Sequence, residues 1–391
     1  MRILTLIVAL LLTTPAWAKA PVSYKPLANE RLREVAIKHG VSLRDLNRAN
    51  PNGPDGQGWL LLPSKARLPS EPAVAIIASA RQEVAEIIKT MRVDGVYRIV
   101  GREFFVGEWE GGPIVTGGAG GNQSNAAIGA TLLLENFNVK AMGFVGIAGG
   151  GPTTQVGDAL VASGALPHDN GNWYDFAMPG GGIFAGLTWN ARGGPPIITD
   201  AGRRSQLVLF PDPTMMACIR KELRDLELPP IGQDVADFHG QERYRPGVLL
   251  DGWSASGAQF ITSHHMRDTY ERRIALEAAR LGIPAPASFV VDQEDFGAVL
   301  AAEEQGVPWF VVRVVVDLAA QKSPGAGLPL ALYDTPEKIP EWLAANGQQS
   351  YARNIDYSYF YRQVEIVTRP IMRTLSAGCA APSLSKTRTL P

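Results

Sequence analysis

Two short Val-rich runs joined by a helical pattern constrain this chain more than any other feature. Residues 288–317 read SFVVDQEDFGAVLAAEEQGVPWFVVRVVVD. The first run empties into three acids, Asp292, Glu294 and Asp295, and the second ends on Asp317. Continuous β-branched runs of this length, bounded in this way, are buried parallel strands with a helical crossover between them. Both runs then leave carboxylates just past their C-terminal ends, where open α/β sheets bind ligands.

The chain has 391 residues, enough for one full α/β domain and something smaller beside it. Its formal net charge of −1 gives no basic stripe for nucleic acid and no electrostatic reason to expect a membrane-surface role. At the N-terminus, Met1 and Arg2 precede an apolar run over residues 3–12, and Ala16-Trp17-Ala18 follows. That order is expected to be a cleaved secretory signal over residues 1–18, with the mature chain starting near Lys19 and exported, to a periplasm or beyond. No later segment is long and apolar enough to span a bilayer. Cys218 and Cys379 are the only cysteines. In an oxidising compartment they can pair, but the sequence does not show whether their Cα atoms approach. Neither has a partner at zinc-ligand spacing, so no metal site is expected.

Residues 24–69 have their own grammar. An amphipathic helix over 30–39 closes at Gly40, Ser42 caps a second helix over 43–48, a turn-rich stretch follows, and a short strand over 59–63 ends the unit. HGVSLRDLNRANPN between a hydrophobic helix and a late strand resembles a LysM domain, which implies peptidoglycan as a partner. Where that family carries an opening strand and a Gly-Asp-Thr turn, this chain has SYKPLANERL. A Pro-rich linker over 63–72 leads into a second domain over 73–376. There strands are expected near 73–79, 113–116, 141–147, 156–163 and 247–252, with a hairpin-like pair over 97–109. Helices are expected over 81–91, 125–137, 214–226, 266–281 and 354–375. Residues 168–245, rich in Gly, Pro and aromatics, form an expected insertion over one end of the sheet, and 377–391 an expected disordered tail.

Glycine turns follow strands at 117–121 and 148–151, but neither fits GxGxxG with a later acid, and no GxxxxGK[ST] loop exists. No cofactor is expected. The acids are the better lead. Each alone has a bland reading: Glu83 as a first-turn helix acid, Glu294 as a solvated residue, Asp317 as a helix cap. Four acids at sheet C-termini, beside two glycine turns, favour a site.

The order IIASARQEV, GGNQSNAAIGATLLLE, GFVGIAGGGPTTQVGDALVAS, SGAQFI, VVDQED and VPWFVVRVVVD resembles the nucleoside phosphorylase superfamily. It is most similar to the hydrolytic branch, the 5′-methylthioadenosine/S-adenosylhomocysteine nucleosidases. The resemblance implies a three-layer α-β-α sandwich around a mixed sheet, a purine nucleoside as substrate and a homo-oligomer. It implies that Glu83 activates water, that Glu294 holds ribose hydroxyls and that Asp317 protonates the purine. Phe260 and Ile261 fall on base-contacting positions, Gly149 in the second glycine turn, and Gln293 where the family has a ribose-packing Met. Ile147 and Val316 replace serines of the family pattern. Arg81 and Arg313 are the candidate phosphate ligands that a phosphorylase would need, but Arg313, inside a strand, is expected to point away from the pocket. Hydrolysis leads; phosphorolysis, a non-catalytic nucleoside-binding protein and a cell-wall module on an inert scaffold remain open.

Overall fold

The computed structural model describes residues 20–168, 172–173, 187–188, 208–232, 245–261, 264–319 and 357–379. The expected signal segment, most of the expected insertion and nearly all of the expected tail lie outside them. The chain divides into a small unit, residues 1–68 with 95–104, and a large one, residues 69–94 with 105–391.

In the small unit, β1 (Val22–Lys25), α1 (Leu32–Lys38), α2 (Leu43–Ala49) and β2 (Leu60–Leu61) follow one another, and β1 pairs antiparallel with β2. An opening strand absent from the sequence reading is therefore present, formed by VSYK, which runs into the start of the SYKPLANERL segment. Ser42 Oγ accepts from Asp45 N at 3.0 Å, as a helix cap should, and Gly40 closes α1 at φ +61. The unit also takes in residues 95–104, which the sequence reading assigned elsewhere. The reason is burial: Tyr97 completes an aromatic cluster with Tyr24 and His39, ring centroids 5.2 and 5.6 Å away. The Arg98 guanidinium lies 4.1 Å over the buried Trp59 ring. A stretch as short as 24–69 has too little apolar surface to enclose these rings by itself.

The large unit opens with β3 (Ala73–Ala78), a 3₁₀ turn (Arg81–Val84) and α3 (Ala85–Thr90), so the single helix expected over 81–91 is broken in two. The chain continues through β4 (Arg92–Ile99) and β5 (Arg102–Trp109), whose facing ends form the 95–104 hairpin, then β6 (Gly112–Gly118), α4 (Gln123–Asn136), β7 (Val139–Gly150) and β8 (Ala159–Pro167). The short β9 (Asn172–Trp173) and β10 (Leu187–Thr188) pair with each other. After them come α5 (Pro213–Leu223), β11 (Val248–Ser256), α6 (His264–Leu281), β12 (Phe289–Asp292), α7 (Asp295–Glu304), β13 (Trp309–Asp317) and α8 (Ser358–Ser376).

The strand order β12-β11-β8-β13-β7-β3-β6 is mixed, as expected: β13 runs parallel to β7 and antiparallel to β8. Every residue of β13 is buried, which requires cover on both faces and so a layer of helices on each side. α7 packs on α4 and on the strands, and α8 packs on α5, β13 and β7. This is the three-layer arrangement.

One closure was not foreseen. The end of β7 bends to pair antiparallel with β12, Val290 opposite Gly150 and Val291 opposite Gly149. Strands β7, β13, β8, β11 and β12 thereby form a closed ring of pairings. The glycines expected as a turn at 148–151 make this approach feasible. A Cβ on Gly150 would lie 2.0 Å from Thr154 Oγ1, and one on Gly151 2.7 Å from the Phe289 ring.

Cys218 and Cys379 form a disulfide tying α5 to the end of α8 across 161 positions of sequence, with Cα atoms 6.4 Å apart. Cys218→Ser is expected to destabilise the protein by about 2–5 kcal/mol, read as a lower Tm under non-reducing conditions. A Tm that is the same for both proteins, and unmoved by reductant, would show that the bond contributes nothing.

Candidate functional site

A cavity of about 340 Å³ opens at the C-terminal ends of β3, β12 and β13. All seven residues selected from the sequence line it: Glu83, Gly149, Phe260, Ile261, Gln293, Glu294 and Asp317. They come from five separate segments, and the fold brings all of them together.

Glu83 sits in the 3₁₀ turn after β3, where its carboxylate folds back on the chain. Oε2 accepts from Ser79 Oγ at 2.5 Å and Ala80 N at 2.9 Å, and Oε1 from Ile147 N at 3.0 Å. Each carboxylate oxygen offers two lone pairs, so Oε2 is filled and Oε1 keeps one for a further donor such as water. Glu83 keeps the first-turn position of the bland reading, with Oε2 returning to Ala80 N, but the side chain is only 3% exposed and its other oxygen reaches across to Ile147 N. Gly146 makes the approach possible, because a Cβ there would lie 2.2 Å from Glu83 Oε1. Ile147 acts here through its backbone, so the serine missing at that position is not needed for the contact.

Asp317 ends β13, and its Oδ1 accepts from Ala319 N at 2.7 Å. That contact turns the chain at the end of the strand; the helix-cap reading concerns residues beyond 319, which lie outside the described ones. Gly149 lies beside it; a Cβ there would meet Asp317 Oδ1 at 3.0 Å. Phe260 is 63% exposed at the rim, whereas Ile261 is buried. Gln293 Nε2 donates to Ala258 O at 2.9 Å, which ties the β12 turn to the segment after β11.

Glu294 bridges two elements. Oε1 accepts from Asn122 N at the start of α4, and Oε2 lies 3.4 Å from Arg313 Nη2. Burial raises its pKa above the ordinary carboxylate value; Arg313 opposes the rise and Asp292 adds to it. A second cavity of about 780 Å³, lined by Asn122, Gln123, Ser124 and Asn125, shares Gln293 and Glu294 with the first.

Arg313 overturns an expectation. Instead of pointing away, its buried guanidinium reaches the carboxylates beneath the cavity. Nε donates to Asp295 Oδ1 at 2.9 Å and Nη1 to Ile147 O at 2.9 Å. Nη1 also lies 3.8 Å from Glu83 Oε1. A cation inside a Val-only run has to be compensated, and an uninterrupted strand puts residues 313 and 317 on one face. Those two signals were available; the register shift between Val315 and Asp317 obscures the second.

The sequence reading also missed Tyr357 and Tyr361, one turn apart at the start of α8, which line the cavity with stacked rings 6.1 Å apart. Burial, then the Glu83 charge, raises the Tyr361 phenol to about 12. Burial, then the Asp317 charge, raises that of Tyr357. Each phenol thus feels the charge of one of the two carboxylates to which the resemblance gives chemical roles. Among the described residues no three His, Cys, Asp or Glu side chains are grouped as metal ligands, and no helix is long and apolar enough to cross a membrane.

Residues 72–335 match the family model of the Phosphorylase superfamily, well over half of the chain. The chain belongs to the phosphorylase superfamily. Among curated relatives, a 5′-methylthioadenosine/S-adenosylhomocysteine nucleosidase of Marinomonas sp. (strain MWYL1) is 36% identical over 97 residues, 25% of this chain and 42% of that protein. The nucleosidase of Mycobacterium bovis (strain ATCC BAA-935 / AF2122/97) is 24% identical over 252 residues, 64% of this chain and 87% of that protein. Among solved structures, the S. pneumoniae 5′-methylthioadenosine/S-adenosylhomocysteine nucleosidase with a transition-state inhibitor is 16% identical with a TM-score of 0.48. That likeness covers 78% of this chain and 99% of the other. The futalosine hydrolase of Helicobacter pylori strain 26695 is 16% identical with a TM-score of 0.45, covering 76% and 97%.

Proposed function

We propose that this superfamily member is an exported purine nucleoside N-ribosyl hydrolase. The observation that carries the reading is the convergence of Glu83, Glu294 and Asp317 on one cavity, with Phe260, Ile261 and Gly149 around it. Cleavage of an N-glycosidic bond develops positive charge on the sugar, and the purine leaves well only when protonated. Asp317 is the proton donor to the base, with Gly149 beside it. Glu83 Oε1, with its remaining lone pair, orients and deprotonates the attacking water. Glu294 accepts hydrogen bonds from ribose hydroxyls and favours the developing charge.

Arg313 supports hydrolysis over phosphorolysis. Its guanidinium lies within 4 Å of Glu83, Asp292, Glu294 and Asp295, which leaves it committed to carboxylates instead of a phosphate dianion. The other candidate cation, Arg81, lies 4.7 Å over the Phe105 ring. Purified protein is expected to release free base and free ribose from a purine nucleoside at the same rate with and without phosphate, read by chromatography. Ribose 1-phosphate as product would replace this reading with phosphorolysis. No turnover on any purine nucleoside would leave the binding-protein reading.

Export is supported by the N-terminal pattern and by the disulfide, which persists in oxidising compartments. N-terminal sequencing of protein recovered from a periplasmic fraction, starting near Lys19, tests it. The strand-helix-helix-strand order of the small unit is consistent with a LysM-like role on peptidoglycan, which a pull-down with isolated sacculi tests.

A further inference from the structure

Beneath the cavity, the turn between β12 and α7 and the end of β11 hold a group of side chains to which the proposed reaction gives no role. Asp295 is fully buried. Its Oδ1 faces Arg313, with Nε at 2.9 Å and Nη2 at 2.6 Å, and its Oδ2 lies 2.5 Å from Ser254 Oγ. The same hydroxyl lies 2.6 Å from Asp292 Oδ2. Asp292 is anchored on its other side: Oδ1 accepts from Glu294 N and Asp295 N at 2.7 Å each and from Ser256 Oγ at 3.0 Å.

A serine hydroxyl has one proton to donate, and Ser254 contacts two carboxyl oxygens at hydrogen-bond distance. If both were ionised, one contact would set lone pair against lone pair at about the shortest separation O–H···O bonds reach. Both contacts are favourable only when one carboxyl carries a proton and donates it to Ser254, which donates in turn to the other.

The surrounding charges require the same proton. The groups facing Asp295 are Arg313 on β13, Asp292 and Glu294 on its own turn, and Glu83 beyond Arg313. Four ionised carboxylates would surround one guanidinium in a buried setting, which is costly.

We propose that Asp292, Ser254 and Asp295 share a single proton at neutral pH, and that the Asp295 so neutralised is a positioning residue that sets Arg313 across Glu83 and Glu294. In this arrangement Asp295 grips the Nε and Nη2 edge of Arg313 without cancelling its charge. Nη1 is left for Ile147 O, whose own N–H holds Glu83. The directions of titration agree. Burial, only partly offset by Arg313 and reinforced by the Asp292 charge, pushes Asp295 well above the ordinary carboxylate value. Asp292 lies below it: Arg313 and its hydrogen bonds outweigh the effect of burial. The two are coupled, and the three donors on Asp292 Oδ1 favour its charged form, so the shared proton resides mainly on Asp295.

The test has two arms. The first reads the proton without activity, by carboxyl 13C resonances of aspartate-labelled full-length protein across a pH titration. The expected result is one aspartate resonance still in its protonated position at pH 7 and missing from Asp295→Asn, in which the remaining Asp292 is ionised. No such resonance in the wild type overturns the proposal.

The second arm rests on the nucleosidase reading. Asp295→Asn, which keeps the acceptor for Arg313 and a donor to Ser254, is expected to hold kcat/KM within a few-fold. Asp295→Ala, which frees Arg313, is expected to lose about tenfold to a hundredfold, the scale of a small misplacement of catalytic groups, with a displaced pH profile. If Asp295→Asn falls as far as Asp295→Ala while remaining folded, the neutral form is not the working one and the proposal fails. Should the wild type turn over no nucleoside while the protonated resonance persists, the functional reading fails and the shared proton stands.

Discussion

Under the proposed hydrolysis, Asp317→Asn is expected to lower kcat by about 10²–10⁴-fold, the usual worth of a positioned general acid, while a purine base still binds. The substitution is nearly isosteric, and the asparagine carbonyl can keep the acceptance from Ala319 N. The fold should therefore survive, and a loss of rate reports chemistry. In the proposed mechanism, what disappears is the proton that Asp317 gives to the base. Base release by chromatography gives kcat, and calorimetry with the released base gives the affinity. Full activity in Asp317→Asn would remove Asp317 as proton donor. Loss of base binding together with turnover would instead make it a base-holding residue.

The strands that frame the site were legible because their chemistry is local. β12 and β13 are short continuous β-branched runs, and their carboxylate ends follow directly from strand direction. Glu83 and Phe260 were recoverable only through their order along the chain, since nothing local distinguishes a first-turn glutamate that folds back onto Ile147 N from one that faces water. The rest depended on long-range geometry. The pairing of β12 with β7 needs two glycines opposite two valines, yet glycine in a sequence reads equally well as a turn. Tyr357 and Tyr361 reach the cavity from the last helix, 40 and 44 positions beyond Asp317 in number, and no local pattern gives that distance in space. Arg313 was misread for a related reason. A strand residue's face is fixed only once its register is known, and the irregularity before Asp317 breaks the simple alternation.

Arg313→Met is expected to destabilise the protein by about 3–5 kcal/mol at neutral pH, the cost of leaving buried charges without their partner. Methionine nearly fills the volume, so packing over the Phe144 ring, which the guanidinium covers at 5.2 Å, is largely kept and the loss is electrostatic. Its pH dependence follows from the neighbours. With the cation gone, the folded-state pKa values of Asp292, Glu294 and Asp295 rise, since Arg313 lowers all three in the native protein. A carboxyl whose folded pKa is raised favours the folded state fully below its unfolded pKa, about 4. That contribution is lost as pH climbs through the folded value. The deficit of Arg313→Met relative to the wild type should thus be small near pH 4.5 and grow toward pH 8. Urea unfolding at the two pH values measures it. A deficit equal at both would show that Arg313 acts through packing and not charge. Arg313→Lys keeps the charge but loses the fork that engages Asp295 and Ile147 together, so it should recover stability more fully than turnover. That split would separate the cation that holds the carboxylate cluster together from the geometry that aims Glu83 and Glu294 into the cavity.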